Sequence, residues 1–274
     1  PTLLANPGLL TADMGGVVGS DDIATQSEGE PLQGGILHGL VGTLMITLLA
    51  SVISIPVGLF ASIYLTEYGN RNMFSRGIRF FVDVMTGIPS IVAGLFAFAG
   101  LTLFVELTIG TSPQALQSVK TGVTAAIALS VLMIPVVVRS TEEMLQVVSS
   151  ELREASYALG VRKWRTIMKV VLPTVMSGIA SGITLAIARV AGETAPILVT
   201  AGYVATTNWN PFSEWMTALP VFIYRQLINP TAPAAGDPST ARAWAGALVL
   251  IVIVMGLNLG ARAIAKYFAP KTGK

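Results

Sequence analysis

The chain has 274 residues, of which 53% are hydrophobic and only 12% charged, and its mean hydropathy is +0.69. Soluble domains carry about 25% charged residues, so this composition excludes an ordinary soluble protein. The chain has no cysteine and one histidine, which excludes disulfides and argues against a metal site or a Ser-His-Asp triad. It also lacks a G-x-x-x-x-G-K-[ST] phosphate loop, so we expect no enzyme activity, no catalytic residue and no cofactor in this chain.

Five apolar segments are long enough to cross the hydrocarbon layer of a membrane, which is about 30 Å thick. They cover residues 36–65, 78–107, 122–138, 174–201 and 243–261. Each of the first four contains a proline, which predicts a bend or a break in its helix. Only helices and closed barrels satisfy the backbone in lipid, and the alternating pattern of barrel strands does not occur. We therefore predict an all-α, polytopic helical bundle in a membrane.

The basic residues between these spans divide unequally between the two sides of the membrane. Thirteen lie on the side that holds residues 66–79, residues 139–173 and the C-terminal tail, whereas three lie on the other side. Because cytoplasmic loops carry the excess of Lys and Arg, we predict that the C-terminus, with the tail 269–274, is cytoplasmic. Residues 1–35 contain no basic residue and are acidic, which predicts an extracytoplasmic segment.

The long cytoplasmic loop 149–173 has the pattern of two short helices joined by a turn. Ser149 or Ser150 can cap the first helix, and Gly160 is suited to the left-handed position that ends it. The second helix carries basic residues near the membrane surface. By themselves these features favour an amphipathic hairpin that lies against anionic membrane lipid.

The identity and spacing of the residues in this loop favour a more specific interpretation. Glu154-Ala155-Ser156 is followed by Gly160 and then by Leu172-Pro173, a spacing that resembles the EAA loop of ABC importer permeases. This chain departs from that pattern at Ser156, where the family has Ala, and at Val170, where it has Ile. The resemblance implies the type I ABC importer permease fold for residues 36–268. It also implies a coupling helix that places Glu154, Ala155, Ser156 and Gly160 against a separate ATPase subunit, which holds the ATP and Mg²⁺.

The fourth span carries two charged residues, Arg189 and Glu193, four positions apart. A charge near the membrane centre costs about 3 kcal/mol on insertion scales and needs a partner or a water-filled path. Their i, i+4 spacing places them on one face of the helix, where they can pair. Two roles remain open from the residues alone: the pair fixes helix packing, or it lines a pathway in which Arg189 contacts an anion.

The string G-E-T-A-P at residues 192–196, with I-P-S-I-V-A-G at 88–94, resembles the phosphate-specific ABC importer and its PstA-type permease subunits. That resemblance implies import of inorganic phosphate across the cytoplasmic membrane of a bacterium or archaeon, with Arg189, Glu193 and Thr194 in the substrate pathway. It implies a PstC-like second permease, two PstB-like ATPase subunits and an extracytoplasmic PstS-like binding protein. Such permeases usually have six spans, so a sixth helix is expected ahead of residue 1.

Other candidates are less specific. Arg225 belongs to the substrate pathway or is a solvated loop arginine, and Pro89 with Ser90 forms a gate or only a kink. Asp83 is interpreted as an interfacial carboxylate near Arg79. Alternative functions are a permease for sulfate or molybdate, or an ion-driven secondary transporter that uses Arg189 and Glu193. We expect no nucleic-acid partner.

Overall fold

The computed structural model describes residues 6–28, 31–69, 72–110, 112, 118–231 and 236–268, with the side chains of 261 and 264–268 excepted. A short 3-10 turn covers Pro7–Leu10, and the remaining regular elements of these residues are helices, as predicted. The helices are α1 (Gly19–Glu28), α2 (Leu37–Ile63), α3 (Met73–Gly87), α4 (Ser90–Thr108), α5 (Gly122–Val147), α6 (Ser150–Ala158), α7 (Lys163–Thr166), α8 (Leu172–Ala191), α9 (Ala195–Thr200), α10 (Leu219–Ile228) and α11 (Gly236–Phe268). Two π-helical turns, Tyr64–Tyr68 and Ile167–Val171, continue α2 and join α7 to α8.

Within the described residues, five helical stretches are long and apolar enough to cross a membrane, which confirms the predicted number. They are Leu37–Tyr68, Ser90–Thr108, Gly122–Val147, Lys163–Ala191 and Gly236–Gly260. Several predicted bounds differ from these, two of them at the motif segments. The second span, predicted over 78–107, is divided at Ile88–Pro89 into α3 and α4, and the fourth ends at Ala191 instead of residue 201.

The prolines explain this difference because their effect depends on position. Pro56 and Pro135 lie inside continuous helices, where each removes one backbone hydrogen bond. Pro89 is the N-cap residue of α4, and Pro196 lies in the first turn of α9. A helix start tolerates proline because the missing N–H has no intrahelical partner there. Both prolines therefore begin a new helix.

The chain forms two compact units, of which the first comprises Pro1–Ala50, Pro89–Ser130 and Val190–Val254. Its hydrophobic core brings together Met14, Ile36, Leu219 and Phe222. The amino-terminal segment thus packs into this unit. At the end of that segment, a fully buried pair joins α1 to α11: Arg242 Nη1 donates to Asp22 Oδ2 at 2.9 Å and Nη2 donates to Oδ1.

The second unit comprises Ser51–Ile88, Val131–Arg189 and Met255–Lys274. One of its cores contains Leu145, Val148, Val171, Val175 and Ile179. In this unit α8 approaches α5 closely at two glycines one helical turn apart. A Cβ at Gly178 would lie 2.2 Å from Met144 Sδ, and one at Gly182 would lie 2.6 Å from Ser140. Small residues four apart allow such backbone approach in membrane helices.

Candidate functional site

The loop 149–173, which we call the hairpin, folds as two helical pieces around a glycine turn. Ser149 occupies the N-cap position of α6 with extended backbone, but its side chain makes no capping hydrogen bond. Gly160 has a φ of +77°, a conformation that residues with a Cβ adopt only at a cost. The chain then re-enters a helix at Lys163. The structure thus has the turn geometry that the motif spacing predicts.

One side of α6 is an apolar surface left uncovered in this chain. Leu159 is 83% exposed and Leu152 is 39% exposed, and Ala155 and Glu154 are also exposed. Leu152, Ala155 and Leu159 lie at positions i, i+3 and i+7, which share a helix face. An exposed apolar patch bordered by polar residues is typical of a protein interaction site.

Ser156 does not share that surface. It is 8% exposed, and its hydroxyl lies 2.8 Å from the Thr166 hydroxyl, with which it forms a hydrogen bond. The motif resemblance placed Ser156 at the partner interface. In this structure its hydroxyl joins the two pieces of the hairpin, because position 156 faces α7. Its place at the partner interface stays a prediction.

An ion-pair network that the sequence analysis missed holds α6 in place. Arg153 of α6 donates from Nε to Glu67 Oε1 at 3.2 Å, and its Nη2 lies 3.1 Å from the same oxygen. The same guanidinium donates to the carbonyls of Val148 and Leu145, at 2.6 and 2.8 Å. It therefore caps the C-terminal end of α5, where free carbonyls carry a partial negative charge.

Glu67 belongs to the π-helical turn Tyr64–Tyr68 and is buried. Its backbone carbonyl accepts a hydrogen bond from Lys163 Nζ, which also lies 4.8 Å from the centroid of the Tyr68 ring. The end of the first span thus contacts both pieces of the hairpin. A displacement of the hairpin would act directly on this span and on α5.

Two ion pairs join α3 to α5. Arg79 pairs with Glu142, with 3.2 Å between Nη2 and Oε1, and Asp83 pairs with Arg139. The sequence analysis expected Asp83 to be an interfacial carboxylate near Arg79 and did not identify Arg139 as its partner. The sequence contains a pattern that could have predicted these two ion pairs, since each helix carries two opposite charges one turn apart.

The charged segment of the fourth span is not a continuous helix. Because α8 ends at Ala191, Glu193 and Thr194 lie in a non-helical link before α9. The expectation that Arg189 and Glu193 share one helical face, on which they could pair, is therefore wrong. Arg189 is exposed and Glu193 is half-buried, and no ion pair of either is found in the described ranges.

The helix that follows this link, α9, packs within the first unit against α4, the helix that the predicted gate residues begin. A Cβ at Gly94 of α4 would lie 2.6 Å from the Cα of Pro196, so α4 and α9 pack with almost no side chain between them. Pro89 is the N-cap residue of α4 and Ser90 its first residue. The structure thus brings together the two motif segments, residues 88–94 and 192–196.

Arg225 is exposed on α10. Its guanidinium lies 4.4 Å from the centroid of the Tyr203 ring, within the range of a cation–π interaction. Burial raises the pKa of the Tyr203 phenol, and the charge of Arg225 opposes that rise. Arg225 thus packs on an aromatic face, and among the described residues it forms no ion pair. Over the described residues, no group of three or more His, Asp or Glu side chains could hold a metal ion.

Comparison with known proteins decides the family. Residues 54–274 match the family described as "Binding-protein-dependent transport system inner membrane component". The chain belongs to this family. It is therefore a multi-pass permease component of a binding-protein-dependent ABC importer, and the ATPase activity of such a system resides in another subunit.

Relatives and solved structures agree with this family. The chain is 47% identical over 235 residues to the Phosphate transport system permease protein PstA 1 of Mycobacterium tuberculosis, covering 86% of this chain and 72% of that protein. It is 39% identical over 232 residues to the Phosphate transport system permease protein PstA of Yersinia pestis, covering 84% and 72%.

Among solved structures, an inward-facing MetNI methionine ABC transporter matches with a TM-score of 0.60 at 19% identity, covering 86% of this chain and 95% of that one. A bacterial alginate ABC transporter in complex with its periplasmic protein matches with a TM-score of 0.61 at 17% identity, covering 89% and 86%. These likenesses confirm the predicted importer-permease fold.

Proposed function

We propose that this chain is the PstA-type permease subunit that moves inorganic phosphate into the cell. The observation that supports phosphate as the substrate is that Arg189 is exposed and has no ion-pair partner in the described ranges. Arg189 lies two residues before the end of α8, after which the G-E-T-A-P link begins. Arginine stays charged at physiological pH, and its planar fork matches phosphate oxygens. The names of the relatives at 47% and 39% identity support the same substrate.

The proposed assembly contains a PstC-like second permease, two PstB-like ATPase subunits that hold ATP and Mg²⁺, and a PstS-like binding protein outside. The hairpin and the C-terminus face the cytoplasm, as the distribution of basic residues favours. The exposed face of Leu152, Ala155 and Leu159 docks on the ATPase. Nucleotide binding then displaces α6, and Arg153 passes this displacement to Glu67 and to the end of α5.

In the pathway, the guanidinium of Arg189 binds the anion. Glu193 and Thr194 lie on the non-helical link. A carboxylate near the anion weakens its binding and so assists its release, because conduction requires sites from which the ion can leave. Pro89 and Ser90, at the start of α4, serve as part of a gate, because irregular backbone is tolerated where it lines a cavity.

The test is ATP-dependent uptake into proteoliposomes that contain the complete importer. Radiolabelled phosphate should accumulate, and equal concentrations of sulfate or molybdate should not. Accumulation of sulfate or molybdate instead of phosphate would show that the proposed substrate is wrong. Uptake without ATP would identify an ion-driven transporter.

Arg189 is tested in the same complex. Arg189→Gln should reduce phosphate uptake at least about tenfold, the loss expected for one hydrogen-bonded charge, with normal assembly. Arg76→Gln, at an exposed position of α3, is the matched control and should transport normally. Normal uptake in Arg189→Gln would exclude the anion-binding role, and loss of assembly would show that Arg189 has a structural role.

A further inference from the structure

Lys120 precedes α5 in the first unit and is half-buried. Its Nζ lies 5.8 Å from the centroid of the Phe98 ring and 5.7 Å from that of the Trp215 ring. Aromatic faces attract a cation within about 6 Å. No acidic partner of Lys120 lies within ion-pair distance in the part of the chain that the structure describes. The two rings therefore position the ammonium group without neutralising its charge.

The two rings connect Lys120 to both motif segments. Phe98 lies on α4 one helical turn beyond Gly94, which contacts Pro196. The Trp215 ring packs against Gly202, where a Cβ would lie 3.0 Å from Trp215 Cγ and where φ is +75°. A larger residue at 202 would thus displace the wall of the Lys120 site.

The site lies at one end of α9. Gly202 follows α9, whereas Glu193 and Thr194 precede it. A helix of this length rises about 9 Å. A second cation, Arg225, for which the described residues provide no ion-pair partner, lies over Tyr203, the residue next to Gly202. Lys120 and Arg225 thus each lie over an aromatic ring that neighbours the point where the chain leaves α9, one short helix away from the proposed pathway link.

We propose that Lys120 forms a capture site for the oxyanion substrate ahead of the Glu193–Thr194 link. This inference rests on the proposed function and adds a substrate-binding residue to it. An ammonium group without a bound carboxylate is free to pair with an anion. Its compact, hydrated charge suits rapid exchange better than a bidentate arginine does. Rapid exchange is what an entry site requires, since the anion must move on.

The experiment uses the complete importer in proteoliposomes, with the phosphate-loaded binding protein titrated from outside. Three variants are compared: Lys120→Gln, Lys120→Arg and the control Arg76→Gln. Lys120→Gln should lower the maximal phosphate uptake about tenfold, the effect of losing one hydrogen-bonded charge. The concentration of binding protein that half-saturates ATPase stimulation should not change. Lys120→Arg should keep more than half of the uptake, and Arg76→Gln all of it.

A chemical rescue provides a second measurement because the chain has no cysteine. Lys120→Cys should transport poorly and recover after aminoethyl modification of the thiol, which restores a positive charge. Modification with a neutral reagent of similar size should restore nothing. Equal recovery with both reagents would overturn the proposal.

Three results of the titration would also overturn it. Unchanged uptake in Lys120→Gln would exclude a binding role. A parallel rise of the half-saturating binding-protein concentration for uptake and ATPase activity would make Lys120 a docking contact for that protein. Failure of Lys120→Gln to assemble would make it a structural residue. If the wild type carries sulfate instead of phosphate and Lys120→Gln loses that uptake, the site stands while the proposed substrate fails.

Discussion

Gly94 of α4 and Pro196 of α9 touch almost backbone to backbone, since a Cβ at Gly94 would lie 2.6 Å from Pro196 Cα. Backbone atoms cannot move away as a flexible side chain can. The contact therefore fixes α9 relative to α4 within the first unit. Because α9 begins directly after the Glu193–Thr194 link, the contact also fixes one end of the proposed pathway segment.

Gly94→Val should therefore destabilise the protein. Forcing extra methyl groups into a packed site costs about 1–3 kcal/mol, which we expect as a lower melting temperature of the purified complex and reduced phosphate uptake. The matched control is Gly100→Val on the same helix, where an added Cβ meets nothing within 4 Å. Equal melting temperatures for the two variants would contradict the close contact.

Arg153→Gln should uncouple ATP hydrolysis from transport. It leaves Glu67, whose side chain is 5% exposed, without its partner, and such a loss costs about 3–5 kcal/mol when the pair is buried. We expect a lower melting temperature and less phosphate moved per ATP hydrolysed, measured in the same proteoliposomes. Arg162→Gln, exposed in the same hairpin, should keep the wild-type ratio. If both variants kept that ratio, the Arg153–Glu67 contact would not transmit motion.

The buried carboxyl of Asp22 should make the stability of the folded protein depend on pH. Burial alone would raise the pKa of its carboxyl, but the hydrogen bonds from Arg242 and Thr231 and the charge of Arg242 outweigh burial and hold the pKa below its usual value. A carboxyl with a lowered pKa in the folded state stabilises the protein above its unfolded pKa, about 3.9. That stabilisation is lost as the pH falls through the folded value.

The melting temperature of the wild type should thus fall as the pH drops below about 4. Asp22→Asn should melt lower at pH 7, because Arg242 is then buried without a counter-charge, and should lose less stability on acidification. Glu28→Gln, exposed on the same helix, is the control and should follow the wild type. Parallel pH curves for wild type and Asp22→Asn would contradict this assignment.

The hairpin could be predicted because its signals are local. Ser149 precedes α6 and Gly160 ends the turn, and each position depends on the conformational preference of one residue type. The same holds for the division at Pro89. By contrast, Arg153 and Glu67 are 86 positions apart, and no periodicity within either segment identifies the partner.

The charged pair shows where a local rule misleads. The spacing of Arg189 and Glu193 suggests one helical face, but that inference requires an uninterrupted helix. Gly192 is a poor helix former, and Pro196 favours the first turn of a new helix. Together they end α8 at Ala191. The hydrogen bond between Ser156 and Thr166 could not be predicted for a different reason, since only the fold of the hairpin brings Thr166 beside Ser156.

Site-specific cross-linking of the hairpin to the ATPase subunit tests the central claim most directly. The cysteine-free chain allows a single Leu159→Cys, at a position that is 83% exposed, with Gln26→Cys on α1 as the control. In the assembled importer, a short bifunctional reagent should join Leu159→Cys to the ATPase, nucleotide should change the yield, and Gln26→Cys should give no such product. An intact complex in which Leu159→Cys never cross-links to the ATPase, or is labelled by an impermeant thiol reagent from outside the cell, would contradict the account.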